Sequence, residues 1–252
     1  MTPTIDIFIR SYHRDRYWLA LALRSIAVFA SGHRRVVVVV PRSSLARMER
    51  SAIESERVHL YTCRDYADDY LGQQITKLNA DLYTNAGSIL HLDSDHVFVA
   101  PCNLKARLFD QGRARMALDS GSDRPETDGW RQCPTAFLGE PVRPDLTAPP
   151  PMLVPRRVYS GLRAFCRDAH RMSISSYAFA AGAGRFCEFA LLRGFALTRE
   201  PERYLWVDAA RHPLLPECRN FWSRAQTPTS VAGSLPPELT ARASPGTSTQ
   251  GR

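Results

Sequence analysis

The chain has 252 residues, 44% of them hydrophobic, and 33 Lys and Arg against 25 Asp and Glu, for a net charge of +8. With 11 Phe, 9 Tyr and 4 Trp it can build a sizeable core, which excludes disorder of the whole chain and suits one domain with at most a small appendage. No apolar run approaches the roughly 20 residues of a spanning helix, and residues 1–6 lack the basic-then-apolar pattern of a secretory signal. The expected location is cytoplasmic. The six cysteines are evenly spread with no Cys-x-x-Cys pair, so they read as reduced, mostly buried thiols rather than a zinc knuckle or a disulfide scaffold.

Residues 5–9 predict a short buried strand, 11–16 a polar loop and 17–30 a helix. Val36 to Val40 are five consecutive valines. A β-branched run that is apolar on both faces predicts a central strand of a covered parallel sheet, ended here by Pro41. Residues 43 to about 55 predict a helix with Ser43 or Ser44 as N-cap, and 58–61 a strand. Residues 70–85 carry Leu71, Ile75, Leu78 and Leu82 at helical spacing, with Gly87 as the stop. Residues 88–92 form a strand that runs into Asp93-Ser-Asp95-His96, and apolar residues resume at 97–99.

Such strand–helix alternation predicts an α/β fold, a mostly parallel central sheet flanked by helices. Ligands of such sheets sit beyond the carboxyl ends of the strands, which places the loop 10–16 and Asp93–Asp95 at one edge. Further on, 113–118 predict a strand, 121–131 a polar loop, 147–151 a Pro-rich segment and 152–154 a strand. Residues 155–170 and 186–195 predict helices. From about Gln226 apolar periodicity is lost, and 226–252 is expected to be a disordered tail.

The pair Asp93 and Asp95 carries most of the chemical information. Two carboxylates just past a buried strand present oxygens to one hard divalent ion, Mg²⁺ or Mn²⁺, beside water and phosphate oxygens. The spacing alone is weak, because 15 aspartates in the chain yield about one such pair by chance. The context adds weight, since two unpaired anions at a sheet edge repel without a cation. Lys77 is one of only two lysines and lies on the helix feeding that strand, within reach of a diphosphate. Arg10 directly follows the first strand and is placed for a nucleotide, with Ser11 and Asp15 on the same loop. Glu188 sits between Cys187 and Phe189, an apolar setting that suits a general base. His91 reads as core and His96 as support for the acidic pair. Trp130 and Trp222 could stack on sugar faces, with core packing the expected role of either. The basic charge favours anionic partners, although its skew to arginine also fits a compositional bias.

Three segments together resemble the donor-binding half of a GT-A-fold glycosyltransferase: the strand and loop with Arg10, Gln73-Gln74-Ile-Thr-Lys77-Leu78 on a helix, and Ile-Leu-His-Leu-Asp93-Ser-Asp95. The likeness spans roughly residues 4–222 and is closest to a small group with Gln-Gln-x-x-Lys-Leu, Leu-Asp-Ser-Asp and Ser-Glu-Phe/Tyr elements. Here Cys187 replaces the serine, so no role of that serine carries over. The resemblance implies a domain over 1–225, with 1–105 the nucleotide-sugar half and 106–225 the acceptor half. It implies a nucleoside-diphosphate sugar as donor and Mn²⁺ or Mg²⁺ on its diphosphate. Asp95 would bind the metal, Asp93 the metal or the ribose, Arg10, Ser11, Asp15, Gln74 and Lys77 the donor, and His212, ahead of His170, would complete the metal shell. Glu188 would deprotonate an acceptor hydroxyl, the acceptor being a saccharide or a nucleic-acid base. Two other readings fit parts of the pattern. A haloacid-dehalogenase-like phosphotransferase also has Asp-x-Asp after an apolar strand, but usually near the chain start and with a later acidic pair. A non-catalytic basic nucleic-acid-binding protein fits the charge alone.

Overall fold

The computed structural model describes residues 4–50, 53–118 and 128–240. Its elements run β1 (Ile5–Arg10), α1 (Arg16–Phe29), β2 (Ala30–Ser31), β3 (Val36–Pro41), α2 (Arg42–Leu45), β4 (Val58–Cys63), α3 (Asp69–Lys77), β5 (Ser88–Leu92), β6 (His96–Phe98) and β7 (Cys102–Asn103). They continue with α4 (Leu104–Leu108), β8 (Phe109–Asp110), β9 (Arg113–Leu118), α5 (Asp128–Arg131), α6 (Cys133–Leu138), β10 (Met152–Pro155), α7 (Arg156–His170), α8 (Ile174–Ala181), α9 (Glu188–Arg199), β11 (Tyr204–Asp208), β12 (Cys218–Asn220) and α10 (Pro237–Thr240).

The central sheet has the order β10-β5-β1-β3-β4. β1 pairs in parallel with β3 and with β5, β3 with β4, and only β10 is antiparallel. Every residue of β1, β3 and β5 is buried, which is why these strands are apolar on both faces. The chain moves outward from β1 to β4 and then returns to the other flank of β1 as β5. Right-handed crossovers therefore put α1 and α3 on opposite faces of the sheet. A smaller sheet, β11-β9-β8, lies against β10. The result is a mixed α/β domain whose mostly parallel sheet is flanked by helices.

Several elements differ from expectation. The helix expected over 43–55 shrinks to α2, because the Ser43 hydroxyl and N–H both donate to Asp65 and the next residues form i→i+3 turns instead. The helix expected over 70–85 starts on Asp68, whose carboxylate caps Tyr70 and Leu71, and stops at Lys77. There the Asn79 side chain takes the Ile75 carbonyl at 2.8 Å and turns the Asn79 N–H to Thr76, so a 3-10 turn follows and Leu82 points outward. Residues 128–131 of the expected polar loop form α5, while 119–127 lie outside the described residues. The expected tail is ordered over 226–240: Val231 and Leu239 are buried, and Arg24 donates to the Glu238 carbonyl at 2.7 Å. Helix α8 and strands β11 and β12 had no expected counterpart. The cysteines are free thiols, five buried and Cys218 half-buried.

At the edge opposite the carboxyl ends, the fully buried Asp6 accepts from Arg34 at 2.8 and 3.0 Å, from Arg35 at 3.0 Å and from Thr84. Burial pushes its carboxyl up, but Arg34, Thr84 and Arg35 outweigh burial and hold it below the ordinary value. Such a group stabilises the fold above the ordinary carboxylate range and loses that contribution as pH falls through its lowered value. Asp6→Asn should cost about 3 kcal/mol in denaturant melts at neutral pH, and the gap from the parent should narrow below about pH 4.

Candidate functional site

The chain leaves β1 towards β3 on one side and comes back as β5 on the other, so the carboxyl ends of the paired strands β1 and β5 lie at the switch point of the sheet. Arg10 ends β1 and Asp93 follows β5. A cleft of about 330 Å³ opens there, lined among others by Arg10, Asp15, Asp93, Asp95, Trp222 and Ser223. Beside it lies a pocket of about 270 Å³ lined by Gln74, Lys77, Glu188, Phe189 and Trp130, and Tyr70, Gln73, Asp93 and Trp222 belong to both.

Asp93, Asp95 and His96 each offer a ligand atom, all within 4.8 Å of one another. The Asp95 Oδ2 accepts from the Ser223 N–H at 2.8 Å, and its carbonyl accepts from the Phe221 N–H at 3.1 Å. Its Oδ1 is buried, has no hydrogen-bond partner among the described residues and lies 3.5 Å from His96 Nδ1. Burial raises the Asp95 carboxyl, yet the proximity of the His96 ring and the hydrogen bond from the Ser223 N–H outweigh it and hold it below its ordinary value, hence ionised. His96 is fully buried; its Nε2 faces the Pro150 carbonyl at 3.0 Å, and its Nδ1 accepts the Asp93 N–H at 3.2 Å. That pattern fits the neutral Nε2–H tautomer, and His96 thereby shapes the 93–96 turn.

Asp15 joins the cluster through Ser94, whose Oγ donates to Asp15 Oδ2 at 3.1 Å. Its carboxyl is raised by burial and then by the charges of Asp95 and Asp93. Three carboxylates thus converge. Two of the nearby cations are committed: Arg10 makes a two-pronged ion pair with Asp69 on α3, and Lys77 holds Asp93, while the exposed Arg224 also borders the cleft. An orphaned buried carboxylate oxygen amid excess negative charge fits a hard divalent ion.

Lys77 is buried, with Nζ 2.7 Å from Asp93 Oδ1, 3.2 Å from Glu188 Oε1 and 4.7 Å from the Phe189 ring centre. Burial disfavours its charge, but Asp93 and Glu188 more than compensate and raise it above its ordinary value. It bridges the strand end and α9, and it lines the adjoining pocket. Glu188 is the first residue of α9, where the helix dipole favours its charge, and Cys187 caps that helix by accepting the Ala190 N–H on its sulfur. Glu188 is buried, as its apolar flanks imply, but its charge is countered by Lys77.

The structure therefore brings together Arg10, Asp15, Asp93 and Asp95, with Gln74, Lys77 and Glu188 in the adjoining pocket. Ser11 is buried behind the cleft, with its N–H on the Val39 carbonyl. His212 is not brought in: it is exposed on the turn after β11, its N–H on the Asp208 carbonyl, and His96 stands in the acidic group instead. His170 is equally remote, facing the Phe137 carbonyl at 2.7 Å. Sequence reasoning missed Ser223 and Asp69, which meet their partners across 128 and 59 residues with no local signal. No family model matches the chain, and no curated protein matches its sequence.

Removing the ammonium while leaving both buried acids should be costly. Lys77→Met is expected to destabilise the protein by about 3 kcal/mol or more. The double variant Lys77→Met/Glu188→Gln should recover part of that loss in chemical denaturation, because one uncompensated charge is gone.

Proposed function

We propose that the protein is a metal-dependent glycosyltransferase of GT-A type that takes its sugar from a nucleoside-diphosphate donor. The observation that carries this reading is the convergence of Asp15, Asp93 and Asp95 at the switch point of the sheet, with a buried Asp95 oxygen that has no hydrogen-bond partner among the described residues. The geometry adds support by giving the acidic cleft a neighbouring pocket that contains a buried carboxylate, Glu188.

Asp95 and Asp93 would hold Mn²⁺ or Mg²⁺, with His96 fixing the turn between them. When bound, the ion acts as a Lewis acid and stabilises negative charge on a leaving diphosphate. The chain's own residues do the rest. Ser94 and Asp15 tie the loop after β1 to the end of β5. Arg10 fixes the start of α3 through Asp69, so the wall of the cleft and the sheet move as one. Lys77 sets the separation of Asp93 from Glu188, which is the separation of the donor end from the acceptor end. Glu188 accepts the proton of the acceptor hydroxyl as that oxygen attacks the sugar carbon, a general-base role that belongs to an inverting transfer.

The test is a thermal-shift series with uridine, guanosine, cytidine, thymidine and adenosine diphosphates, each with and without Mn²⁺. At least one should stabilise the native state only with the metal, by about 2.7 kcal/mol at a hundredfold excess over Kd. Asp95→Asn should abolish that shift. Five flat curves with Mn²⁺ present would sink the reading, and a shift with fluoroaluminate alone would favour phosphoryl transfer at Asp93.

A further inference from the structure

We infer that the pocket between α3 and α9 is the acceptor subsite and that it takes a pyranose ring of a saccharide, stacked on Trp222 and Trp130. The inference rests on the transferase reading above for the word acceptor. Four observations carry it.

Trp222 is 68% exposed, a large indole face left in water, and it borders the acidic cleft, the Glu188 pocket and an outer groove of about 650 Å³. Its backbone is held at φ +47, in the left-handed region that bulky residues avoid at a cost of about 1–3 kcal/mol. The Asn220 side chain accepts the Trp222 N–H at 2.7 Å, and the next N–H is on Asp95. The exposed ring is therefore set in place by the residue that anchors the acidic cluster.

Trp130 borders the same pocket and groove and is pinned by its Nε1–H to the Ala183 carbonyl at 3.2 Å. Gly129 beside it packs so close to Gly184 that a Cβ there would lie 2.0 Å from the Gly184 oxygen. The close approach of these two backbones is what brings the indole to the pocket.

Gln74 lines the pocket and is 3% exposed, and its buried Oε1 has no hydrogen-bond partner among the described residues. A buried carbonyl oxygen without a donor calls for a hydroxyl or amine of a ligand. Glu188 supplies a second acceptor in the same wall. An aromatic face carries negative partial charge and suits the C–H face of a pyranose, while the ring's hydroxyls donate to acceptors at its edge.

The charge argues against a nucleic-acid acceptor. Among the described residues, Lys77 is the one cation lining the pocket, and two carboxylates neutralise it; the outer groove adds a single arginine, Arg224. A polyphosphate chain needs uncommitted Lys or Arg along its track.

The full chain is screened against an array of neutral and acidic mono- to tetrasaccharides and against single-stranded DNA and RNA oligonucleotides. Each screen is run alone and again with Mn²⁺ and the diphosphate that gives the largest thermal shift. At least one saccharide should bind and change tryptophan emission. Trp222→Gly, which removes the ring where the left-handed backbone suits glycine, and Trp130→Ala should each weaken that binding at least tenfold. Trp206→Phe, on the smaller sheet, should leave it as in the parent. If no saccharide binds although the Mn²⁺–diphosphate shift is present, the subsite is overturned while the transferase reading stands. Saccharide binding that both tryptophan variants retain overturns the placement. Salt-sensitive binding of oligonucleotides with no saccharide bound assigns the acceptor to nucleic acid. Saccharide binding with no diphosphate shift overturns the acceptor role.

Discussion

The Lys77 ammonium is buried between Asp93, at the end of a strand, and Glu188, at the start of a helix more than ninety residues later. An ion taken out of water must recover its hydration from fixed partners, and a charge flanked by two opposite charges does so at short range only. The geometry of the whole crevice follows from that demand. Helix α3 cannot slide along the sheet without separating Lys77 from Asp93, and α9 cannot tilt without separating it from Glu188. The aromatic ring of Phe189 closes the remaining side of the ammonium. Of these groups, Asp93 lines both the acidic cleft and its neighbouring pocket, with Tyr70, Gln73 and Trp222.

The acidic cluster is the complement of this arrangement. Two of its carboxylates are positioned by a backbone donor and a small side chain, Ser223 N–H on Asp95 and Ser94 Oγ on Asp15, and only Asp93 is held by a cation, Lys77. Arg10, at the end of β1, is committed to Asp69. Excess negative charge is therefore preserved at the sheet edge, where a metal-free fold gains nothing from it. The Asp15 carboxyl, raised by burial and by its acidic neighbours, registers that unrelieved repulsion. Sites that retain such a cost are those in which a ligand supplies the missing charge.

The segment after β12 links the two regions. Phe221 stacks on Trp18 of α1 with ring centres 5.8 Å apart, Trp222 projects outward and Ser223 reaches Asp95. Residues beyond it stay packed on α1 through Val231, Leu239 and the Arg24 contact to Glu238. One stretch of chain therefore serves as a core plug, a wall of the cleft and a polar anchor, which explains why a composition that reads as a tail is ordered through residue 240.

Local pattern alone determined the parallel sheet, its buried strands and the edge at which Arg10 and Asp93–Asp95 meet, because side-chain periodicity and β-branched runs act within a few residues. The free, buried cysteines and the inward-facing His91 followed from the same logic of burial. What the tertiary structure decided was every relation between distant segments. It buried Lys77 between two acids, left His212 outside the acidic group, committed Arg10 to Asp69 and carried Trp130 and Trp222 to one pocket wall. These outcomes depend on charge compensation and packing across dozens of residues. A linear pattern holds no record of which buried ion will find which partner, since that choice is made by desolvation once the chain has closed on itself.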